Sequence, residues 1–373
     1  MARVLIIADD LTGALDSSVA FAERGLRVVV ALDTSRLPDA LAAAPDVVAV
    51  STGSREMSEE AASAAVSRVC DVVGRFSGIV MKKVDSRLKG PVAAEVDTLS
   101  ASMPRPVLAA PAIPRLGRLV VDGAVTGTGV DAPIDVATAL NRPAEIPDIR
   151  TDADFDEALP DDLEGTLFVG AAGLAEAIAR RLAGDPAIGG QAGEGVPESG
   201  SPVLAKPVLA AIGSRDPVTL RQIAALDKDA LVIAPNGAVP EVRAAPLVVV
   251  QMAQGDDAIA PREAENRFSG GVCDLVGALK PATLFACGGE SAAAILRRLG
   301  VGLLELKGEA LPGIPVSRAL DGAVGLDVVT KSGGFGMADT LVRLFGAPAQ
   351  ADLAGADGAA VTVSGRDAPK IVH

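Results

Sequence analysis

Residues 5–14 read LIIADDLTGA: an apolar run ends on two adjacent aspartates, then a Thr-Gly pair, then a helix-like stretch. Two like charges side by side cost free energy that a single turn-forming Asp or Asn would avoid. Three other segments have the same setting. STGSR (51–55) follows VVAV, KKVDSR (82–87) follows GIVM, and PAIPRLGR (111–118) follows VLAA. Each sits where a strand of an open parallel sheet would end, and such sheets bind ligands beyond those ends. Together they offer the carboxylates Asp9, Asp10 and Asp85, the hydroxyl of Ser86, and the cations Arg55, Lys83 and Arg118. That set suits a small polyhydroxylated acid. Arg and Lys hold a carboxylate, Arg bidentately, and Asp accepts hydrogen bonds from hydroxyls. One of Asp9 and Asp10 is expected to cap the following helix, where negative charge is favoured, and the other to point at the ligand. The alternative is that both only cap and turn, and that Lys83 and Asp85, on the same side of a strand, form a plain ion pair.

The second half of the chain offers glycine instead of charge. Ile212-Gly213-Ser214, Cys287-Gly288-Gly289-Glu290-Ser291 and Lys331-Ser332-Gly333-Gly334-Phe335-Gly336 each follow an apolar run, and the last two precede helices. Glycine there lets backbone N–H groups approach an anion, and a helix N-terminus favours negative charge. Two such turns point to a nucleotide polyphosphate, held by Ser214, Gly288, Gly289, Glu290, Ser291, Lys331, Gly333 and Gly334. Neither G-x-x-x-x-G-K-[ST] nor G-x-G-x-x-G is present, so the motifs are not those of a P-loop enzyme or an ordinary Rossmann dehydrogenase.

The elements that must position these loops are legible as short Val/Ile/Leu runs alternating with amphipathic stretches. Strands are expected at 2–8, 27–32, 47–52, 78–85, 106–112 and 166–173, with helices at 14–24, 58–76, 91–102 and 174–182. After residue 206 come strands at 208–214, 231–236, 246–253, 283–289 and 327–336, and helices from 216, at 261–279, 290–299 and 337–345. Near-continuous apolar runs between helices predict a parallel sheet covered on both faces. The fold class is therefore α/β, with two domains, each a mainly parallel sheet flanked by helices: 1–183 and 207–346. Residues 184–206, rich in Gly, Pro, Ser and Glu, read as a linker, and 347–373 as a flexible tail.

Composition excludes several classes. The 373 residues carry a formal net charge of −14, which disfavours a nucleic-acid partner. The sole histidine is His373, which removes Ser-His-Asp triads and histidine zinc sites. Cys70, Cys273 and Cys287 are widely spaced and read as buried free thiols in a reducing compartment. With no signal peptide and no apolar run of about 20 residues, a cytoplasmic protein with no membrane contact is expected.

These segments together resemble the four-carbon acid sugar kinase family, once catalogued as a domain of unknown function. The motifs that carry the resemblance are IADDLTGALD (7–16), STGSRE (51–56), KKVDSRLKG (82–90), APAIPRLGR (110–118), VGAAGLA (169–175), GSRDPVTLRQ (213–222), CGGES (287–291), LPGIPVSRAL (311–320) and TKSGGFG (330–336). They occur in family order. Arg87 stands where the family has Thr, Pro91 follows Gly90, and Gly334 replaces an Asn. The resemblance implies an N-terminal domain that binds the sugar acid, a C-terminal domain that binds ATP, and an active site in the cleft between them. It implies phosphorylation of the terminal hydroxyl of a threonate, erythronate or 3-oxo-tetronate type acid, a phosphotransfer to an alcohol acceptor. It assigns substrate contacts to Asp10, Arg55 and residues 83–86, and ATP contacts to Ser214, 288–291 and Gly333. Asp85 or Asp10 would accept the hydroxyl proton, with Asp85 favoured, and Mg²⁺ would bridge the phosphates. The expected partners are a small sugar acid and ATP, with a homodimer left open. Two other readings stay open: an NAD-dependent sugar-acid oxidoreductase, and a non-catalytic sugar-acid-binding protein.

Overall fold

A computed structural model describes residues 2–184, 204–346 and the backbone of 360–361. The expected linker (184–206) and tail (347–373) lie mostly outside these. Two compact units emerge. The first comprises the chain up to residue 200 with Val301–Gly325, and the second comprises Ser201–Gly300 with the chain from Leu326 onward.

The first unit begins β1 (Val4–Ala8), α1 (Leu11–Ala22), β2 (Val28–Ala31), α2 (Leu37–Ala42), β3 (Val47–Ser51), α3 (Glu59–Val73), β4 (Ile79–Lys83), α4 (Val92–Ser102) and β5 (Val107–Ala110). A small antiparallel sheet follows, β6 (Arg118–Val121), β7 (Ala124–Gly127) and β8 (Ile134–Asp135), then α5 (Val136–Leu140), α6 (Asp152–Ala158), β9 (Leu167–Gly170) and α7 (Ala172–Ala183). Strands β2, β3, β1, β4, β9 and β5 lie side by side and pair in parallel. Every residue of β1, β3 and β4 is buried, including Lys82 and Lys83, as a sheet covered on both faces requires. Asp10 starts α1 at Leu11, three residues before the sequence reading placed it, by accepting the Gly13 N–H.

The second unit contains β10 (Val208–Ile212), α8 (Pro217–Ala224), β11 (Leu231–Pro235), β12 (Val242–Arg243), β13 (Leu247–Ala253), α9 (Pro261–Leu279), β14 (Thr283–Cys287) and α10 (Gly289–Arg298). The chain then forms β15 (Leu303–Leu311) and β16 (Ile314–Ala319), an antiparallel hairpin that belongs to the first unit. There β15 pairs antiparallel with β2, Leu303 opposite Ala31. The boundary 207–346 read from sequence does not anticipate this return, because nothing local to 301–325 reports the distant strand it pairs with. The second unit resumes with β17 (Asp327–Lys331), α11 (Thr340–Phe345) and β18 (Ala360–Val361), which pairs with β12. Its main strands run in the order β11, β13, β10, β14, β17, all parallel. Phe285 meets Phe345 edge-on at 5.3 Å between ring centroids, which seats α11 on the sheet. α11 begins at Thr340 rather than 337, because the Thr340 hydroxyl accepts the Met337 N–H and Gln222 Nε2 donates to the Phe335 and Met337 carbonyls, fixing a turn there.

All three cysteines are free. Cys70 and Cys287 are buried as expected, while Cys273 is only half-buried. Among the described residues no helix is long and apolar enough to cross a membrane.

Candidate active site

In the first unit Ala8 pairs with both Ser51 and Lys83, so the loops after β1, β3 and β4 start side by side. Arg55 anchors them. Its Nε and Nη2 each donate to Asp9 at 2.8 Å, and its Nη1 donates to Asp10 at 2.7 Å. This answers the pairing of two aspartates: one guanidinium bonds both. Asp10 caps α1 as expected, through Gly13 N at 2.7 Å, and also accepts from Thr12 Oγ1. Asp9 departs from expectation. It is 1% exposed and faces Arg55 instead of open space. Burial alone would raise its carboxyl, but Arg55, Lys82 and Lys83 hold it below the usual range.

Lys83 does not pair with Asp85. Its Nζ lies 3.9 Å from Asp16 Oδ1 and donates to the Val84 carbonyl at 3.1 Å. Burial would lower this amine, yet Asp16, Asp9 and Asp10 keep it above its ordinary value, so it stays charged. Asp16 itself is pushed up by burial, against the pull of Lys83. A Cβ on Gly13 would lie 2.6 Å from Asp10 Oδ1 and 3.0 Å from Lys83 Nζ, which explains the glycine in the first turn of α1. Behind this layer Lys82 and Glu95, both buried, form an ion pair at 3.0 Å. Ser54 Oγ donates to the same Glu95 oxygen and contacts Thr52 Oγ1 at 2.6 Å. Asp16 and Glu95 went unread in the sequence. The available signal was their type: each is a carboxylate on a helix face that is otherwise apolar or small.

Asp85, Ser86 and Arg118 form the adjoining rim. Asp85 Oδ1 accepts the Arg87 N–H at 2.9 Å, and its charge reaches Arg55. Its other oxygen carries no hydrogen bond among the described residues. Arg118 Nη1 donates to Ser86 Oγ, and its Nε and Nη2 donate to the Thr128 carbonyl.

In the second unit Cys287 pairs with Ile212 on one side and Lys331 on the other, so the three glycine-bearing turns also start side by side. They are tied through the main chain. Gly213 N and Ser214 N donate to the Cys287 carbonyl, and Gly288 N donates to the Lys331 carbonyl. Gly288 has φ +103°, and α10 begins directly after it with no side-chain cap. The first N–H groups of this ten-residue helix therefore face outward without an intrahelical partner. A Cβ on Gly213 would lie 1.9 Å from Ser291 Oγ, and one on Gly333 2.2 Å from Ser214 Oγ, so the turns pack as closely as glycine allows.

Of the residues expected to hold a nucleotide, Ser214, Gly288, Gly289, Glu290, Gly333 and Gly334 lie at the rim of these turns. Two do not. Ser291 is buried and donates to Glu265 at 3.0 Å. Lys331 is 1% exposed, and its Nζ donates to the Ser332 and Gly333 carbonyls and to Thr219 Oγ1. Burial lowers its amine, with Cys287 pulling the other way. It holds the 331–336 turn from beneath. Among the described residues no group of three or more His, Cys, Asp or Glu side chains could hold a metal ion.

Residues 4–144 match the sugar-binding N-terminal domain family, and residues 209–341 match the nucleotide-binding C-terminal domain family. The chain is 31% identical to a D-threonate kinase of Cupriavidus necator over 89% of its own length and 94% of that protein. It is 30% identical to a D-threonate kinase of Bordetella bronchiseptica, covering 91% and 95%. A 3-oxo-tetronate kinase of Methylobacterium radiotolerans matches at 27% over 90% and 97%. Among solved structures, a Salmonella typhimurium protein described as a putative tRNA synthase superposes with TM-score 0.69 at 18% identity, covering 92% of this chain and 98% of that one, which shows a common fold. With relatives of this identity aligned over nearly the whole of both chains, the chain belongs to the four-carbon acid sugar kinase family.

Proposed function

We propose that this chain transfers the γ-phosphoryl group of ATP to the terminal hydroxyl of a four-carbon sugar acid of the threonate, erythronate or 3-oxo-tetronate type. The observation that carries the reading is the division of labour between the two units. Paired charges gather at the strand ends where the sugar-binding family matches, and glycine turns gather at those where the nucleotide-binding family matches.

Phosphoryl transfer asks for positioning and charge neutralisation more than for covalent chemistry. Asp85 is the proton acceptor in this scheme, since one of its oxygens is uncommitted. Both oxygens of Asp10 are engaged: Gly13 N holds one, and Thr12 Oγ1 and Arg55 Nη1 hold the other. Lys83, kept charged by three carboxylates, sits where it offsets negative charge near the reacting hydroxyl. In the second unit the open N–H groups of α10 and the main chain of Gly288, Gly333 and Gly334 receive the polyphosphate.

Magnesium keeps most of its ligands as phosphate oxygens and water, with one or two carboxylates from protein. Asp216 fits that modest demand. One of its oxygens caps α8 through Val218 N, and the other lies 3.3 Å from the position of a Cβ on Gly334. When bound, the ion would neutralise phosphate charge.

The test is ADP release with Mg-ATP against D- and L-threonate, D- and L-erythronate and the 3-oxo acids, with pentonates as controls. Turnover of one four-carbon acid at kcat/KM of about 10⁴ M⁻¹s⁻¹ or better is expected. ATP binding without turnover of any of them would overturn the substrate, and absence of ATP binding would overturn the role of the second unit.

A further inference from the structure

Arg55 is the cation that the sequence offers first for a substrate carboxylate, but each of its three nitrogens already donates to a carboxylate of the protein. Nε and Nη2 are held by Asp9, and Nη1 by Asp10. Lys82 is committed to Glu95 in the buried layer, and Lys83 is surrounded by Asp16, Asp9 and Asp10. Two neighbouring cations have no comparable match. Arg118 donates only to neutral oxygens, those of Ser86 and Thr128. Arg87 follows Ser86 in the chain. Among the described residues its guanidinium makes no hydrogen bond, its contact with Asp85 is 3.9 Å long, and its Nε is buried without an acceptor.

A buried N–H with no acceptor is costly, and native structures supply one from protein, water or ligand. The two guanidiniums are also close enough to feel each other. Burial first, then the Arg87 charge, lowers the Arg118 pKa, and the Asp85 carboxylate offsets this only in part. Around this pair two guanidiniums face one carboxylate, a local excess of positive charge. A single carboxylate, bound by planar forks, would match it and supply the missing acceptors.

We propose that Arg87 and Arg118 form the carboxylate clamp of the acid site, with Arg55 a structural partner of Asp9 and Asp10, and that the ligand is a monocarboxylate carrying a hydroxyl within reach of Asp85. This rests on the sugar-acid reading above. It sets the specificity in chemical terms. An uncharged polyol lacks the group the clamp grips. A dicarboxylate brings a second charge toward Asp9, Asp10 and Asp16.

The experiment is calorimetric titration of the full chain with the four threonate and erythronate isomers, with threitol and erythritol as uncharged controls. Wild type is compared with R87A, R87K and R118K, and ATP turnover is measured separately on the same preparations. The Arg87 side chain is 40% exposed, so its replacement leaves the fold intact. The expected result is one tetronate bound by wild type, at least tenfold weaker binding in R87A, partial recovery in R87K, weakened binding in R118K, and no change for the polyols. Tetronate affinity unchanged in R87A and R118K would overturn the clamp, as would wild type binding none of the four acids. The kinase reading fails separately: tetronate bound through the clamp with no ATP consumed would sink the reaction and leave the clamp standing.

Discussion

At the strand ends of the first unit, side chains hold side chains: Arg55 grips Asp9 and Asp10, and Lys83 lies among Asp16, Asp9 and Asp10. At the matching ends of the second unit, main chain holds main chain. The Gly213, Ser214 and Gly288 N–H groups bind neighbouring strand-end carbonyls, and the only buried cation, Lys331 among the described residues there, turns to carbonyls too. The difference teaches what each site is sensitive to. The first is specified by charge, so removing one member leaves a buried partner unmatched. The second is specified by volume, since its turns close only where no Cβ intervenes.

Perturbations that separate charge from volume break or sharpen this contrast. The largest effect is expected for Asp85→Asn. Loss of the proton acceptor should lower kcat by roughly 10²–10⁴, with little change in the affinity of either substrate. Stopped-turnover and binding assays check this, and an unchanged kcat would move the acceptor role to another carboxylate.

Arg55→Ala should act on stability rather than on the acid's KM. It leaves Asp9 buried without its partner, which costs about 3 kcal/mol or more near neutral pH. The pH dependence follows in sign. The folded Asp9 carboxyl lies below its ordinary value, so its contribution is present above that value and is lost as pH falls through the folded one. Melting curves of wild type and variant should therefore converge in acid. A gap that persists there would show that Arg55 stabilises through packing.

Gly333→Ala tests the other site. The added Cβ meets Ser214 Oγ, and nucleotide affinity should fall about tenfold, ~1.4 kcal/mol, with acid affinity untouched. A matching loss of acid affinity would erase the distinction between the two sites.

The smallest effect is expected at a residue assigned to neither ligand. Burial raises Glu309, on β15, to about 7, against the pull of the Gly313 backbone, with Glu23 adding to the rise. The folded state then binds more protons than the unfolded one between the ordinary glutamate value and about 7, so stability falls as pH rises through that window. Glu309→Gln should flatten this and be more stable above it, by about 1 kcal/mol after solvent screening, as chemical denaturation at two pH values would show.

The parts legible in the sequence are those that local chemistry specifies. VLIIA and VLAAI announce buried strands, Asp10 its helix cap, and CGGES and SGGFG their turns. What the sequence left open is set by distant partners. Arg55 reads as a free cation until Asp9, 46 residues away, is seen to bond it. Lys331 reads as a phosphate ligand until Thr219, 112 residues away, and its own loop carbonyls claim its amine. Asp16 and Glu95 draw no reading until buried lysines are found opposite them. Charge type is local information; which charge it meets is not.

The hairpin that closes the first unit's sheet carries a consequence for synthesis. Arg27, just before β2, is bonded to Glu305 on β15, 278 residues later in the chain. At ribosomal speeds of about 5–20 residues per second, β2 waits on the order of tens of seconds with its outer edge unpaired. An unpaired row of N–H and C=O groups on an all-aliphatic strand is a template for pairing with other chains. A nascent or truncated polypeptide ending before β15 would present that edge permanently. Fragments of the first unit that stop at residue 183 should therefore self-associate, whereas those that carry the distant hairpin should not.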